Sequence, residues 1–140
     1  MRYWDASALV PLCVSETGTA TVRRLARGGI VTWSLSAVEI ASAIERRTRE
    51  GQLKDAERAA ARTALSELAA AWTEISAPGP VRERAMRLVA THALRAADAM
   101  QLGAALVAVS DRSVGHEFVC ADGRLRAAAA REGFHVLPAG

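Results

Sequence analysis

The chain alternates short apolar runs with longer segments of helical periodicity from one end to the other. Residues 2–6, 30–33, 74–77, 117–121 and 134–137 are short, and aromatic and β-branched side chains recur in them. Between them, apolar residues recur at helical spacing. That order argues an α/β fold with a central, mainly parallel sheet. In such a sheet ligands bind at the carboxyl ends of the strands. The residues just after each strand therefore matter most.

Asp5 ends the first strand. Pro11 fits only the first turn of a helix, which places a helix start near Ser7, with Ser7 as its N-cap or as a contact to metal or substrate. Val22, Leu25 and Ala26 share one face of a helix over 19–27, stopped by Gly28-Gly29. Ser34 and Ser36 read as caps for a helix built on Val38, Ile40, Ala41, Ala43 and Ile44, with Glu39 in its first turns. Arg46, Arg47, Arg49 and Gly51 suit its end. Residues 54–72 form a second helix on Ala56, Ala59, Ala60, Leu65, Leu68 and Trp72. The two make a hairpin that offers a surface to a second copy or a partner helix. Pro78-Gly79-Pro80 breaks the chain, and 81–92 is a helix with Val81, Ala85, Leu88 and Val89 inward. His92, at its end, is read as held by a neighbour or the helix dipole. Leu94 and Arg95 lead into a helix carrying Asp98, Ala99, Leu102, Ala105, Leu106 and Val109. Asp122-Gly123 turns from the fourth strand into an Ala-rich helix that runs to Arg131.

A chain of 140 residues with 51% hydrophobic residues suits one domain spanning 1–140 around one core. There is no apolar run of membrane-spanning length and no signal-peptide pattern, so the expected location is cytoplasmic. Cys13 and Cys120 lie far apart without a CxxC partner, which argues against zinc or a disulfide framework. The formal charge is +3, and Lys54 is the only lysine among the basic residues. The arginines make a basic surface able to track phosphates, although charge alone does not specify nucleic acid. Neither GxGxxG nor a P-loop is present.

An Asp at a helix start caps free N–H groups and suits the positive end of the helix dipole, and that reading covers Asp98 taken alone. Asp5, Glu39 and Asp122 change it, because all three also sit at strand ends or helix starts. On parallel strands these acids emerge along one edge. Carboxylates crowded in one cleft repel, and a divalent cation removes the conflict. Oxygen-only ligands favour Mg²⁺ or Mn²⁺. Such a site suits phosphodiester hydrolysis by a metal-activated water, with no protein nucleophile.

Four stretches carry a family resemblance: Asp5-Ala6-Ser7-Ala8-Leu9, Ser36-Ala37-Val38-Glu39-Ile40-Ala41-Ser42-Ala43, Leu94-Arg95-Ala96-Ala97-Asp98-Ala99, and Phe118-Val119-Cys120-Ala121-Asp122-Gly123-Arg124-Leu125. In order and over nearly the whole chain, they resemble the motifs of PIN-domain ribonucleases, and among these the VapC-type toxins of bacterial toxin–antitoxin pairs. The resemblance implies a three-layer α/β/α fold and an endoribonuclease dependent on Mg²⁺ or Mn²⁺. Asp5, Glu39, Asp98 and Asp122 would be its catalytic, metal-binding acids, with Ser7 and Arg95 as outer contacts to metal or substrate. It further implies an RNA substrate, a homodimer, and neutralisation by a cognate antitoxin whose C-terminal segment fills the groove. Two positions depart from the pattern. Cys120 stands where members often carry Ser or Thr, and Ser42 where many carry Asn; both bear on support around the acids.

Two other α/β readings fail on particular residues. A response-regulator receiver needs a lysine near the end of a late strand, and Lys54 lies in the helical hairpin. A haloacid-type phosphatase needs a DxD start, which Asp5-Ala6-Ser7 lacks. The remaining alternative is a non-catalytic protein of the PIN fold that binds RNA or a partner.

Overall fold

A computed structural model describes residues 1–139; Gly140, the last residue of the expected domain, lies outside the described residues. Five strands, β1 (Arg2–Trp4), β2 (Val31–Trp33), β3 (Thr73–Ile75), β4 (Glu117–Val119) and β5 (His135–Leu137), form one sheet in the order β3-β2-β1-β4-β5. Every neighbouring pair is parallel, with Tyr3 opposite Phe118 and Trp4 opposite Val119. The chain steps outward from β1 to β3, then returns to the other side of β1 for β4 and β5. The order therefore reverses between β1 and β4, and a cleft opens there at the carboxyl ends.

Side-chain alternation along each strand makes the third layer necessary. Tyr3 and Phe118 point to one face and Trp4 and Val119 to the other, and all are fully buried. Tyr3 and Phe118 stack with ring centroids 5.4 Å apart, and Phe134 packs beside Phe118 at 5.6 Å. This face is covered by α5 (Pro78–His92), α6 (Ala96–Ala108) and α7 (Gly123–Arg131). On the opposite face lie α1 (Ala6–Cys13), α2 (Thr19–Ala26), α3 (Ser36–Arg49) and α4 (Asp55–Ala71), around Trp4, Leu9, Ile40, Ile44, Leu65 and Trp72. The result is the expected three-layer α/β/α arrangement.

Helix α6 is the most buried helix on its side. Gly103 lets it lie against α5: a Cβ there would sit 2.8 Å from the Val81 carbonyl oxygen. That close approach fixes the start of α6, and with it Asp98, above the reversal point of the sheet.

Several local expectations are corrected. Each strand is shorter than its apolar run: β2 and β5 start one residue later, β1 and β4 stop two residues earlier, and β3 runs from Thr73 to Ile75, not from 74 to 77. The N-cap of α1 is Asp5, not Ser7: its carboxylate accepts the Ser7 N–H, and Pro11 lies inside the helix. Ser34 and Ser36 do not cap α3. Leu35 precedes it without a side-chain cap, and Ser36 is buried in a polar network. Pro78 and Pro80 do not break the chain; they start α5, where a missing N–H costs nothing. Val89 is exposed rather than inward, and α4 buries Ala61 in place of Ala56, Ala59 and Ala60. The reading of His92 agrees with the structure: a neighbour holds it, with Nε2 2.6 Å from the Glu132 carboxylate. Among the described residues, no helix is long and apolar enough to cross a membrane.

Candidate active site

The reversal between β1 and β4 is where the acids meet. Asp5 follows β1 directly and is 3% exposed. Its backbone N–H donates to the Val119 carbonyl at 2.9 Å, which locks it to the neighbouring strand. Its Oδ2 accepts from the Ser7 N–H at 3.1 Å and from the Ser7 hydroxyl. Burial raises the Asp5 carboxyl above its usual range, and the bonds from Ser7 and Cys120 partly offset that.

Asp122 reaches the same edge from β4, as N-cap of α7, with its Oδ1 3.4 Å from the Arg124 nitrogen. The two turns are joined: the Ala121 N–H donates to the Ser7 hydroxyl at 3.0 Å. Asp98 sits in the first turn of α6 and caps nothing. Partial burial raises its carboxyl, the charges of Asp122 and Asp5 add to the rise, and Arg95 opposes it.

Glu39 stands in the first turn of α3. Burial pushes its carboxyl up to about 7, a hydrogen bond from Gln101 works against this, and Asp5 and Asp98 add repulsion. Asp5 and Asp98 thus both press on Glu39, and Asp5 and Asp122 on Asp98. The four acids share one field.

A cavity of about 480 Å³ opens over Asp98 and Asp122, lined also by Arg95, Ala97 and Arg124. A smaller apolar one of about 170 Å³ adjoins it through Ala97 and is lined by Trp33, Leu35, Val38, Glu39 and Met100. Arg126 does not serve this surface: its guanidinium is spent on the carbonyls of Cys120, Leu137 and Pro138. The cluster therefore presents carboxylates at its centre and two arginines at its margin.

The donor set fits a hard divalent cation. All the acids contribute oxygen, and the carboxyls of Asp5, Glu39 and Asp98 are raised, chiefly by burial. Among the described residues, no three Asp, Glu, His or Cys side chains stand close enough to hold one ion together. Mg²⁺ asks for less than that, because it keeps several waters and takes one or two carboxylates together with substrate phosphates.

The sequence matches the PIN domain profile over residues 2–131. This chain belongs to the PIN-domain family. Two relatives from Mycobacterium tuberculosis place it in the VapC-type branch. Ribonuclease VapC45 of strain CDC 1551 / Oshkosh and ribonuclease VapC49 of strain ATCC 25618 / H37Rv are each 34% identical to it over 139 residues, covering 98% of this chain and 94% of the relative. The crystal structure of PAE2754 from Pyrobaculum aerophilum shares the fold, with a TM-score of 0.69 at 22% identity, over 97% of this chain and 88% of that one.

Within this PIN domain, all four acids expected from the sequence lie along one edge, and Ser7 bonds to Asp5 as an outer support. Arg95 lines the cavity beside Asp98. Cys120, at the departure from the family pattern, is fully buried with its Sγ 3.5 Å from Asp5 Oδ2. Ser42 is exposed on α3.

Two contributors do not stand out in the sequence. Arg124 lines the cavity together with Arg95. Gln101 holds Glu39, and its signal is a polar residue three positions after Asp98 in an apolar helix, hence on the same face.

Proposed function

We propose that this PIN domain is an endoribonuclease toxin that hydrolyses RNA phosphodiester bonds with Mg²⁺ or Mn²⁺ bound at the cluster of Asp5, Glu39, Asp98 and Asp122, through one or two of these carboxylates at a time together with water and substrate phosphate. The observation that carries the reading is the placement of these carboxylates along the strand reversal, where burial and then the charge of neighbouring acids raise the carboxyls of Glu39 and Asp98. The ribonuclease names of the two mycobacterial relatives support RNA as the substrate.

When bound, the divalent ion would supply a water acidic enough to attack phosphorus and positive charge to the phosphodiester. The chain's own residues supply the rest. Ser7 and Cys120 hold Asp5 in place. Arg95 and Arg124 line the cavity with Asp98 and Asp122 and would position the backbone phosphates of the RNA. The nearest thiol, Cys120, is kept protonated by burial and by the adjacent Asp5 charge, so it does not act as a nucleophile.

Membership of the VapC-type branch extends the proposal to a homodimer and to neutralisation by a cognate antitoxin. The C-terminal segment of that antitoxin would occupy the groove over the acids.

The deciding experiment is cleavage of total cellular RNA by the purified protein with Mn²⁺, with EDTA, and with Asp98→Asn. The expected result is discrete fragments with Mn²⁺, and intact RNA in the other two samples. Mapped fragment ends would then identify the target. Intact RNA in every sample would favour a binding-only protein of this fold, and equal cleavage by Asp98→Asn would remove Asp98 from the mechanism.

A further inference from the structure

We infer that Gln101 is a positioning residue that aims the Glu39 carboxylate at the acid cluster, and that Tyr3, from the opposite side, fixes the direction in which Gln101 acts. The inference rests on the metal-dependent function proposed for the acids and assigns a role in it to two side chains that have no access to substrate.

Gln101, Tyr3, Ser36 and Thr32 are all fully buried. Their polar atoms form one continuous chain. The Tyr3 hydroxyl donates to Gln101 Oε1 at 2.7 Å. Gln101 Nε2 donates to Glu39 Oε2 at 2.7 Å and to Ser36 Oγ at 2.9 Å. Ser36 Oγ lies 2.7 Å from Thr32 Oγ, which in turn donates to the Trp4 carbonyl at 2.7 Å.

With Glu39 ionised, the form that binds a cation, counting protons leaves a single arrangement. The Thr32 hydrogen is committed to the Trp4 carbonyl, so the Ser36 hydroxyl must donate to Thr32. Ser36 then has only lone pairs to offer Gln101. A carboxylate likewise only accepts, so both Nε2 hydrogens of Gln101 are used, one on Glu39 and one on Ser36. The remaining Oε1 needs a donor, and Tyr3 provides it. Turning the amide over would set its oxygen against the Glu39 carboxylate and the Ser36 lone pairs. The tyrosine therefore holds the amide in the only orientation that binds Glu39.

Geometry connects this chain to the cluster at both ends. Gln101 lies on α6 three residues after Asp98 and shares its face. The Trp4 carbonyl at the far end immediately precedes Asp5. Among the described residues, Gln101 is the one hydrogen-bond partner of the Glu39 side chain, and it engages Oε2, so Oε1 is left to the cluster. A buried network this fully satisfied is rigid, and residues that orient metal ligands in this way commonly govern affinity.

The test uses Gln101→Met, which keeps side-chain length without the amide, and Tyr3→Phe, which removes one oxygen and touches no acid. Mn²⁺ binding is measured by calorimetry on the folded proteins, alongside the Mn²⁺ concentration for half-maximal RNA cleavage and the melting temperature in EDTA. Gln101→Met is expected to weaken Mn²⁺ binding by about tenfold or more. Tyr3→Phe should shift it the same way by a few-fold, and the cleavage midpoint should move with the affinity. Variants that melt earlier in EDTA yet bind Mn²⁺ as wild type does would make the network purely structural and overturn the inference. Should Gln101→Met fail to fold, Tyr3→Phe alone decides. Absence of Mn²⁺ binding by the wild type would instead overturn the metal reading itself, and this inference with it.

Discussion

The Ser7 hydroxyl donates to Asp5 Oδ2 while accepting the Ala121 N–H, so one oxygen ties the end of β1 to the turn that delivers Asp122. Ser7→Ala deletes both bonds and leaves the Ala121 N–H without its partner. The expected stability loss is about 1 kcal/mol, typical of one hydrogen bond. The expected loss of cleavage is larger in proportion, about tenfold, because two acids lose a common tether. Ser7→Thr keeps the hydroxyl and should retain most activity. Initial rates at saturating Mn²⁺, set beside thermal melting, check this; an Ala variant with the wild-type rate would reduce Ser7 to an ordinary helix-start residue.

Acidification should stabilise the metal-free protein. The Glu39 carboxyl stands at about 7 in the fold, chiefly through burial, with Asp5 and Asp98 adding to the rise against the opposing bond from Gln101. In the unfolded chain it would titrate near its ordinary value of about 4.3. Between those values the folded state holds a proton that the unfolded state has lost. The stabilisation is complete below the ordinary value and is lost as pH rises through about 7. Asp5 and Asp98, also raised, act with the same sign. Allowing for solvent screening at the open side of the cleft, Glu39 alone is worth on the order of 1 kcal/mol. The melting temperature in EDTA should therefore fall from pH 5 to pH 8, and Glu39→Gln should flatten the curve. Mn²⁺ at ten times its dissociation constant should restore about 1.4 kcal/mol at pH 8. A melting temperature that rises with pH in EDTA would mean that the Glu39 carboxyl is neither buried nor crowded as the fold places it.

Periodicity and strand-end acids are legible in the sequence because both are local. An apolar run ending in Asp5 or in Asp122 declares a strand end, and parallel pairing then brings the two together without further information. Competition between neighbours is not local. Asp5 and Ser7 can each cap a helix, and the choice is made by the strand that pins Asp5 to Val119. Pro78-Gly79-Pro80 reads as a break or a helix start depending on whether α5 has a surface to cover. The bond between Tyr3 and Gln101 joins residues 98 positions apart, and only the layered fold relates them. Cys120 has the sequence context of a small apolar residue, and it is one by burial. Its contact with Asp5 depends on the pairing of β1 with β4.

Replacing Gly103 sets two effects against each other. In an exposed helix, Gly→Ala stabilises by about 1 kcal/mol. Here the new Cβ would meet the Val81 carbonyl oxygen at 2.8 Å and the Ala85 nitrogen at 3.4 Å, both backbone atoms of α5 that cannot rotate away. Forcing packed elements apart costs roughly 1–3 kcal/mol, which outweighs the propensity gain. Gly103→Ala should lower the melting temperature by several degrees. Cleavage should fall too, because α6 carries both Asp98 and Gln101. Thermal melting and initial rates test the pair of effects, and a variant that melts later than wild type would show that α5 and α6 can separate freely.

The buried thiol offers a probe of how the acid cleft opens. Burial, first, and the Asp5 charge, second, raise the Cys120 thiol well above its ordinary range, so it remains protonated at pH 8. Reaction with iodoacetamide needs the thiolate and access to it, and the fold denies both. Cys13 is less enclosed, and burial pushes its thiol up to about 11. Labelling followed by mass spectrometry should therefore modify Cys13 slowly and Cys120 more slowly still. Any labelling of Cys120 would report transient opening between Ser7 and the turn after β4. Mn²⁺ should slow that labelling further, because a ligand of Asp5 and Asp122 binds only the closed arrangement. Asp98→Asn, with one ligand removed, should blunt the protection. Rapid labelling of Cys120 at pH 8, indifferent to Mn²⁺, would show that the cleft stands open and that the tether between its two turns does not hold.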